Sequence, residues 1–245
     1  MKRRRAGQYR KRRLATVLAA LAAVIGVVIA NPSSYEPLDE PVEAKSDESE
    51  RVEGQPLATE VLAKLEVKGR APKTGYNREE FYKTWPKIEG CSLRQRIIKR
   101  EVGESARLDT DECTVVAGEF VEPYTGEYLV FTQKAEFSNR IQIDHVVALS
   151  DAWQKGAQYQ TAEARYALAT DPLNLLAVDS VANQQKSDGD AATWLPKNKA
   201  FRCQYVARQI AVKFKYALWV TQAEYDAMAR VLESCPNEPA VGVEL

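Results

Sequence analysis

The residues best suited to chemistry lie between Ile141 and Asp188, in IQIDHVVALSDAWQKGA…DPLNLLAVDSVANQQKSD. His145 is the single histidine of this 245-residue chain and directly follows Asp144. Asn174 and Asn183 stand nine residues apart, with Lys186 behind them. Hydrolysis of a phosphodiester needs an activated water, charge neutralisation on a phosphorane-like transition state, and help for the leaving 3′ oxygen. One Mg²⁺-type ion supplies the last two, takes oxygen ligands and keeps several waters, so few protein donors are required. Asp144 offers a carboxylate and Asn183 an amide oxygen. An imidazole with an ordinary pKa of about 6.5 suits a general base at neutral pH. On a strand, His145 faces away from Asp144, because successive side chains alternate. Asn174, opening the next strand, can hold the His145 loop through its amide. Lys186, on one helix face with Asn183, can touch a phosphate.

Each residue also has an ordinary role. A sole histidine is often structural, Asn174 follows Asp171-Pro172 as a turn residue does, and Asn183 and Lys186 suit a solvated helix face. The order Asp144-His145, Asn174, Asn183 on strand, strand and helix is more specific than any one of them.

The flanking chain must build those elements. Leu57–Lys68 spaces Leu57, Val61, Leu62 and Leu65 like one helix face. Tyr76–Ile88 is aromatic-rich and is expected to pack against the core. Ser92 caps a helix reaching about Lys99. Thr114–Phe120 and Glu127–Gln133 read as a hairpin about the turn Pro123-Tyr124-Thr125-Gly126. Ile141–Leu149 and Asn174–Val178 read as strands. Asp151–Gly156, Thr161–Ala169, a helix capped by Ser180, Lys199–Tyr216 and Thr221–Leu232 read as helices. The fold class is α+β.

The net charge of zero hides an asymmetry. Residues 1–30 hold eight Lys/Arg and no acid, all ahead of an apolar run from Leu14 to Ala30. That is a secretory signal, or a membrane anchor with its basic end inside. Residues 31–56 carry four prolines and many acidic residues, the composition of a disordered spacer. The body, expected over 57–237 with a tail at 238–245, is nearly balanced, which argues against non-specific coating of nucleic acid by a basic face but leaves room for a local basic groove. Four spread cysteines, Cys91, Cys113, Cys203 and Cys235, contain no C-x-x-C pair, which disfavours zinc. In an exported chain they suggest two disulfides. Of three possible pairings, Cys91–Cys113 and Cys203–Cys235 are favoured, because each closes a local loop in one half of the body.

The motif Asp144-His145, Asn174, Asn183 resembles the HNH branch of the ββα-metal (His-Me finger) endonucleases. DHVVALSDAW, DPLNLLAVD, NQQKSD, WLP and the CQYV helix resemble exported actinobacterial HNH-family proteins. These share a domain with the C-terminal part of modification-dependent restriction enzymes. The resemblance covers roughly residues 85–235. It implies an HNH core with a β-hairpin and flanking helices. It also implies one Mg²⁺ or Mn²⁺ held by Asp144 and Asn183, His145 as general base, and Asn174 orienting it. The chain departs from the family pattern at Cys91-Ser92-Leu93-Arg94, and at Glu122 where the pattern has Asp before Pro-Tyr-Thr-Gly. Arg94 can reach a phosphate or pair with a carboxylate.

Between Lys186 and Lys215 seven basic residues face two acidic ones, a possible phosphate-tracking patch or a solvated helix face. The expectation is a monomeric endonuclease cutting DNA with little base specificity, secreted or held outside the membrane by residues 14–30. Whether it needs an immunity protein is not legible. A non-catalytic exported binding protein with the same fold is the alternative, and a metal-dependent phosphoesterase for small substrates is a third reading.

Overall fold

In a computed structural model of the chain, residues 55–243 are described; the basic apolar segment 1–30 and the spacer up to Gly54 lie outside them. The elements are α1 (Ala58–Leu62), β1 (Lys87–Ile88), β2 (Cys91–Ser92), α2 (Leu93–Val102), β3 (Arg107–Leu108), β4 (Val115–Val121), β5 (Tyr128–Phe131), α3 (Lys134–Arg140), β6 (Ile141–His145), α4 (Leu149–Gln154), α5 (Ala162–Thr170), β7 (Leu175–Asp179), α6 (Ser180–Lys186), α7 (Arg202–Lys215) and α8 (Gln222–Leu232). The architecture is mixed α and β, with three small antiparallel sheets: β1-β2, β3-β4-β5 and β6-β7.

The pair β6-β7 followed by α6 positions the site. Ile141 pairs with Asp179 and His145 with Leu175. One step further, the Val146 amide donates to the Asn174 carbonyl at 2.8 Å, so the register sets Asn174 beside the chain leaving His145. The strand ends at His145 and not at Leu149, which starts α4. Asp179, not Ser180, caps α6; its Oδ1 accepts from the amides of Val181 and Ala182 at 2.9 Å.

The hairpin β4-β5 turns through Pro123–Gly126. Gly126 has φ +78°, where a side chain is disfavoured, and a Cβ there would meet Asn198 at 3.2 Å. Glu122 is fully buried and anchors the turn. Its Oε1 accepts from the amides of Tyr124 and Asp179 at 3.0 Å, and its Oε2 from the Thr125 amide and hydroxyl at 2.7 Å. The departure from the family pattern thus falls on a carboxylate committed to holding the hairpin against β7.

The first helix is shorter than its apolar spacing suggests. Beyond Leu62 the backbone is drawn into a tertiary ladder: Lys68 N donates to the Val220 carbonyl at 2.9 Å and Val220 N to the Glu66 carbonyl at 3.0 Å. Residues 238–243 are no loose tail: Ala240 is buried and its amide donates to the Pro56 carbonyl at 2.9 Å. Apolar side chains of α1, α6, α7, α8 and β7 form one cluster. Phe81, Tyr82, Val147, Trp153, Leu168 and Val212 belong to a second. Disulfides join Cys91 to Cys113 and Cys203 to Cys235.

The run of basic residues from Lys186 to Lys215 is split: Lys197, Lys199 and Lys215 are exposed, while two others point inward. Lys186 and Lys213 are fully buried. Lys213 pairs with Asp151 at 3.2 Å and Glu224 at 2.9 Å. Buried Lys155 adds Asp151, Asp190 and Glu224 at 2.6–2.8 Å. This ionic cluster ties α4, α7 and α8 to the turn after α6.

Candidate active site

Alternation along β6 sorts the site residues. Gln142 and Asp144 share the face that meets α6, while His145 lies on the other. Asn183 Nδ2 donates to Gln142 Oε1 at 2.9 Å. Lys186 Nζ lies 3.0 Å from both carboxylate oxygens of Asp144 and donates to the His145 carbonyl at 2.9 Å. Tyr124 donates its hydroxyl to Asp144 Oδ2 at 2.5 Å. Burial pushes the Asp144 carboxyl up, and Lys186 and the Tyr124 hydroxyl only partly offset this.

The His145 ring stacks on Trp85, with centroids 6.0 Å and planes 9° apart, and Tyr82 lies 5.9 Å away. Its Nε2 is 2.9 Å from the Ala169 carbonyl oxygen. A carbonyl only accepts, so Nε2 carries the proton and Nδ1 the lone pair. Burial, and then the Arg78 charge, hold the imidazole pKa down to about 3, against the Ala169 hydrogen bond. The ring is therefore neutral at neutral pH, but a weaker base than an ordinary imidazole.

Asn174 is fully buried, and its side-chain hydrogen bonds go to backbone groups and not to the His145 ring. Its Oδ1 accepts from Val147 N at 2.8 Å, and its Nδ2 donates to the Leu168 carbonyl at 3.2 Å and the Val147 carbonyl at 3.4 Å. It thereby joins the loop after His145 to the end of α5, next to the Ala169 carbonyl that holds the ring.

Asp144, His145 and Asn183 line one cleft of about 280 Å³, with Tyr76, Arg78, Ser150 and Asp188 on its walls. Two residues expected to touch phosphate are placed elsewhere. Lys186 is buried beneath Asp144 because its ammonium is the counter-charge of that carboxylate. Arg94 is outside the cleft lining and donates to the Ile141 carbonyl at 3.3 Å, bracing the start of β6. Residue types alone did not single out Tyr124, Arg78 or Asp188. The turn signal at Pro123–Gly126 marked a bend without showing where the phenol points. Asp188 Oδ2 accepts from Ser150 Oγ at 3.1 Å and pairs with Lys73 at 2.9 Å.

These side chains fit a hard divalent ion. The Asn183 amide spends its nitrogen on Gln142, which leaves its oxygen as a donor in the cleft that Asp144 lines. Asp144 adds a carboxylate that accepts from the Lys186 ammonium, the Tyr124 hydroxyl and the His145 amide, so an ion there would share or displace one of these contacts. Among the described residues, the one cluster of three metal-type side chains is Cys203, Cys235 and Glu238. Its sulfurs are spent in a disulfide.

Residues 94–231, more than half of the chain, match the family described as GmrSD restriction endonucleases, C-terminal domain. A protein of Arthroderma benhamiae (strain ATCC MYA-4681 / CBS 112371), described as an uncharacterized secreted protein, is 33% identical over 223 residues, covering 90% of this chain and 98% of its own. No solved structure matches. The chain belongs to the GmrSD C-terminal domain family. That membership brings a nuclease-related function, and with it a divalent metal ion and a nucleic-acid substrate in general terms. Among the described residues no helix is long and apolar enough to cross a membrane.

Proposed function

We propose that this chain is an HNH-type endonuclease that hydrolyses phosphodiester bonds in DNA with little sequence preference. The observation that supports the reading is the commitment of His145 Nε2 to the Ala169 carbonyl, which leaves Nδ1 unprotonated on a residue that lines the same cleft as Asp144 and Asn183. In this reading β6, β7 and α6 are the HNH core. Asp144 and Asn183 hold one Mg²⁺ or Mn²⁺. When bound, that ion neutralises charge on the phosphoryl oxygens and stabilises the leaving 3′ oxygen. His145 accepts the proton of the attacking water at Nδ1 and keeps its Nε2 hydrogen bond throughout. Asn174 is a positioning residue that fixes the backbone around the ring. Lys186 and Tyr124 fix the Asp144 carboxylate.

Export is part of the proposal. The basic and apolar start, the two disulfides and the relative described as secreted support it. The body acts outside the membrane as a monomer, released by cleavage or held through residues 14–30.

The test is plasmid nicking by the oxidised protein with Mg²⁺ or Mn²⁺, with and without EDTA, beside His145→Ala. Metal-dependent nicking that falls 10²–10⁴-fold in the variant is the expected result for loss of a general base. No cleavage of DNA or RNA with any metal would leave an exported binding protein that keeps the fold.

A further inference from the structure

We infer that Arg78 binds the scissile phosphate, so that the segment Lys73–Trp85, which precedes the family-matched residues 94–231, completes the catalytic cleft. This rests on the nuclease reading above and adds to it the group that holds the substrate.

The cleft already accounts for a metal and a base. It still needs a group that grips a singly charged phosphodiester beside them. Lys73 and Lys186 cannot serve, because each ammonium faces a carboxylate: Asp188 at 2.9 Å and Asp144 at 3.0 Å. Arg78 lines the cleft and is exposed. Among the described residues no carboxylate lies within ion-pair distance of it. It is a cation without a counter-ion on the wall of a site that must bind an anion.

Its placement is built, not incidental. Arg78 opens a 3₁₀ turn, Arg78–Glu80, capped by Asn77, whose Oδ1 accepts from Glu79 N at 3.1 Å. One guanidinium nitrogen donates to the Tyr82 hydroxyl at 2.6 Å, and the guanidinium carbon lies 5.4 Å from the centre of the Tyr82 ring. The same ring lies 5.9 Å from His145. Tyr82 therefore sets the guanidinium relative to the general base. A guanidinium has five N–H donors in a planar fork and Tyr82 takes one, so a bidentate grip on two phosphoryl oxygens remains open. A lysine at this position keeps the charge but not the fork.

The experiment uses the full chain with its disulfides intact, supercoiled plasmid, and Mg²⁺ or Mn²⁺. It compares wild type, Arg78→Ala, Arg78→Lys and Arg96→Ala. Arg96 pairs with Glu89 away from the cleft and serves as a control for loss of one surface charge. The expected result is a loss of about 10²–10³-fold in kcat for Arg78→Ala, the scale of one transition-state donor. Arg78→Lys recovers part of it, Arg96→Ala matches wild type, and free guanidinium ion at millimolar concentration partly restores Arg78→Ala. A merely structural role would show no such rescue. Wild-type rates in Arg78→Ala overturn the inference and leave the nuclease reading standing. So does a loss that neither lysine nor guanidinium restores, which makes Arg78 structural. No nicking by the wild type overturns the nuclease reading itself, and this inference with it.

Discussion

Lys186 and Asp144 form a buried ion pair, the ammonium 3.0 Å from both carboxylate oxygens, at the end of β6 that carries His145. Removing one partner leaves the other charged and desolvated. Lys186→Met should therefore cost about 3–5 kcal/mol of stability. A divalent ion on Asp144 would replace the lost positive charge. The melting temperature of Lys186→Met should thus rise more on adding Mg²⁺ than that of the wild type. Equal melting temperatures in EDTA would show that the pair contributes nothing.

His145 is the single histidine, so its imidazole resonances need no assignment. Burial and the Arg78 charge bring its pKa from 6.5 to about 3. A folded pKa below the unfolded one means stability is full above about pH 6.5 and is lost as pH falls toward 3, where only the unfolded chain takes the proton. Titration followed by NMR should show no protonation between pH 8 and 5. A midpoint near 6.5 would contradict the buried, Nε2-donating ring.

Asn174→Asp keeps the shape of the side chain but not its donor. The replaced nitrogen faces the carbonyls of Leu168 at 3.2 Å and Val147 at 3.4 Å. A carboxylate there meets two acceptors in a buried site, at a cost of about 3 kcal/mol. Its urea midpoint should fall, and nicking should slow because the Ala169 carbonyl loses its brace. A wild-type midpoint would remove Asn174 from the positioning role.

Asp190 governs part of the acid limit of the fold. Burial opposes its ionisation, but Lys155 and Arg70 outweigh it and hold the carboxyl at about 2, against 3.8. Because the folded pKa is the lower one, its contribution of about 2 kcal/mol is present above pH 3.8 and disappears as pH falls toward 2. Asp190→Asn should lower stability at neutral pH and flatten the acid limb over that window. An unchanged slope in acid unfolding would assign the limb to other carboxylates.

Local patterns were readable because they depend on neighbours in the chain. Alternation on Ile141–His145 separates Asp144 from His145, and the structure shows it in their partners: Lys186 and Tyr124 on one side, Ala169 and Trp85 on the other. The hairpin about Pro123–Gly126, the helix capped by Ser92 and the two local disulfides are also close in sequence. The length of the first helix was misjudged because Val220, far along the chain, captures the backbone after Leu65.

By itself, then, the sequence determined the strand–strand–helix order, favoured the two local disulfides and put forward Asp144, His145, Asn174 and Asn183 as candidates, since these readings rest on spacing, short-range geometry and a local motif. Only the tertiary structure decided which charges are spent inside the fold. Lys186 is buried on Asp144 across 42 residues, Lys213 on Asp151 across 62, and Tyr124 reaches Asp144 across the hairpin. Among the described residues Lys73 and Lys186 beside the cleft are paired with carboxylates, while Arg78 on its wall has no ion pair. The reason is that a desolvated charge must find an opposite one, and the chain supplies that partner from a distant segment that no local pattern encodes.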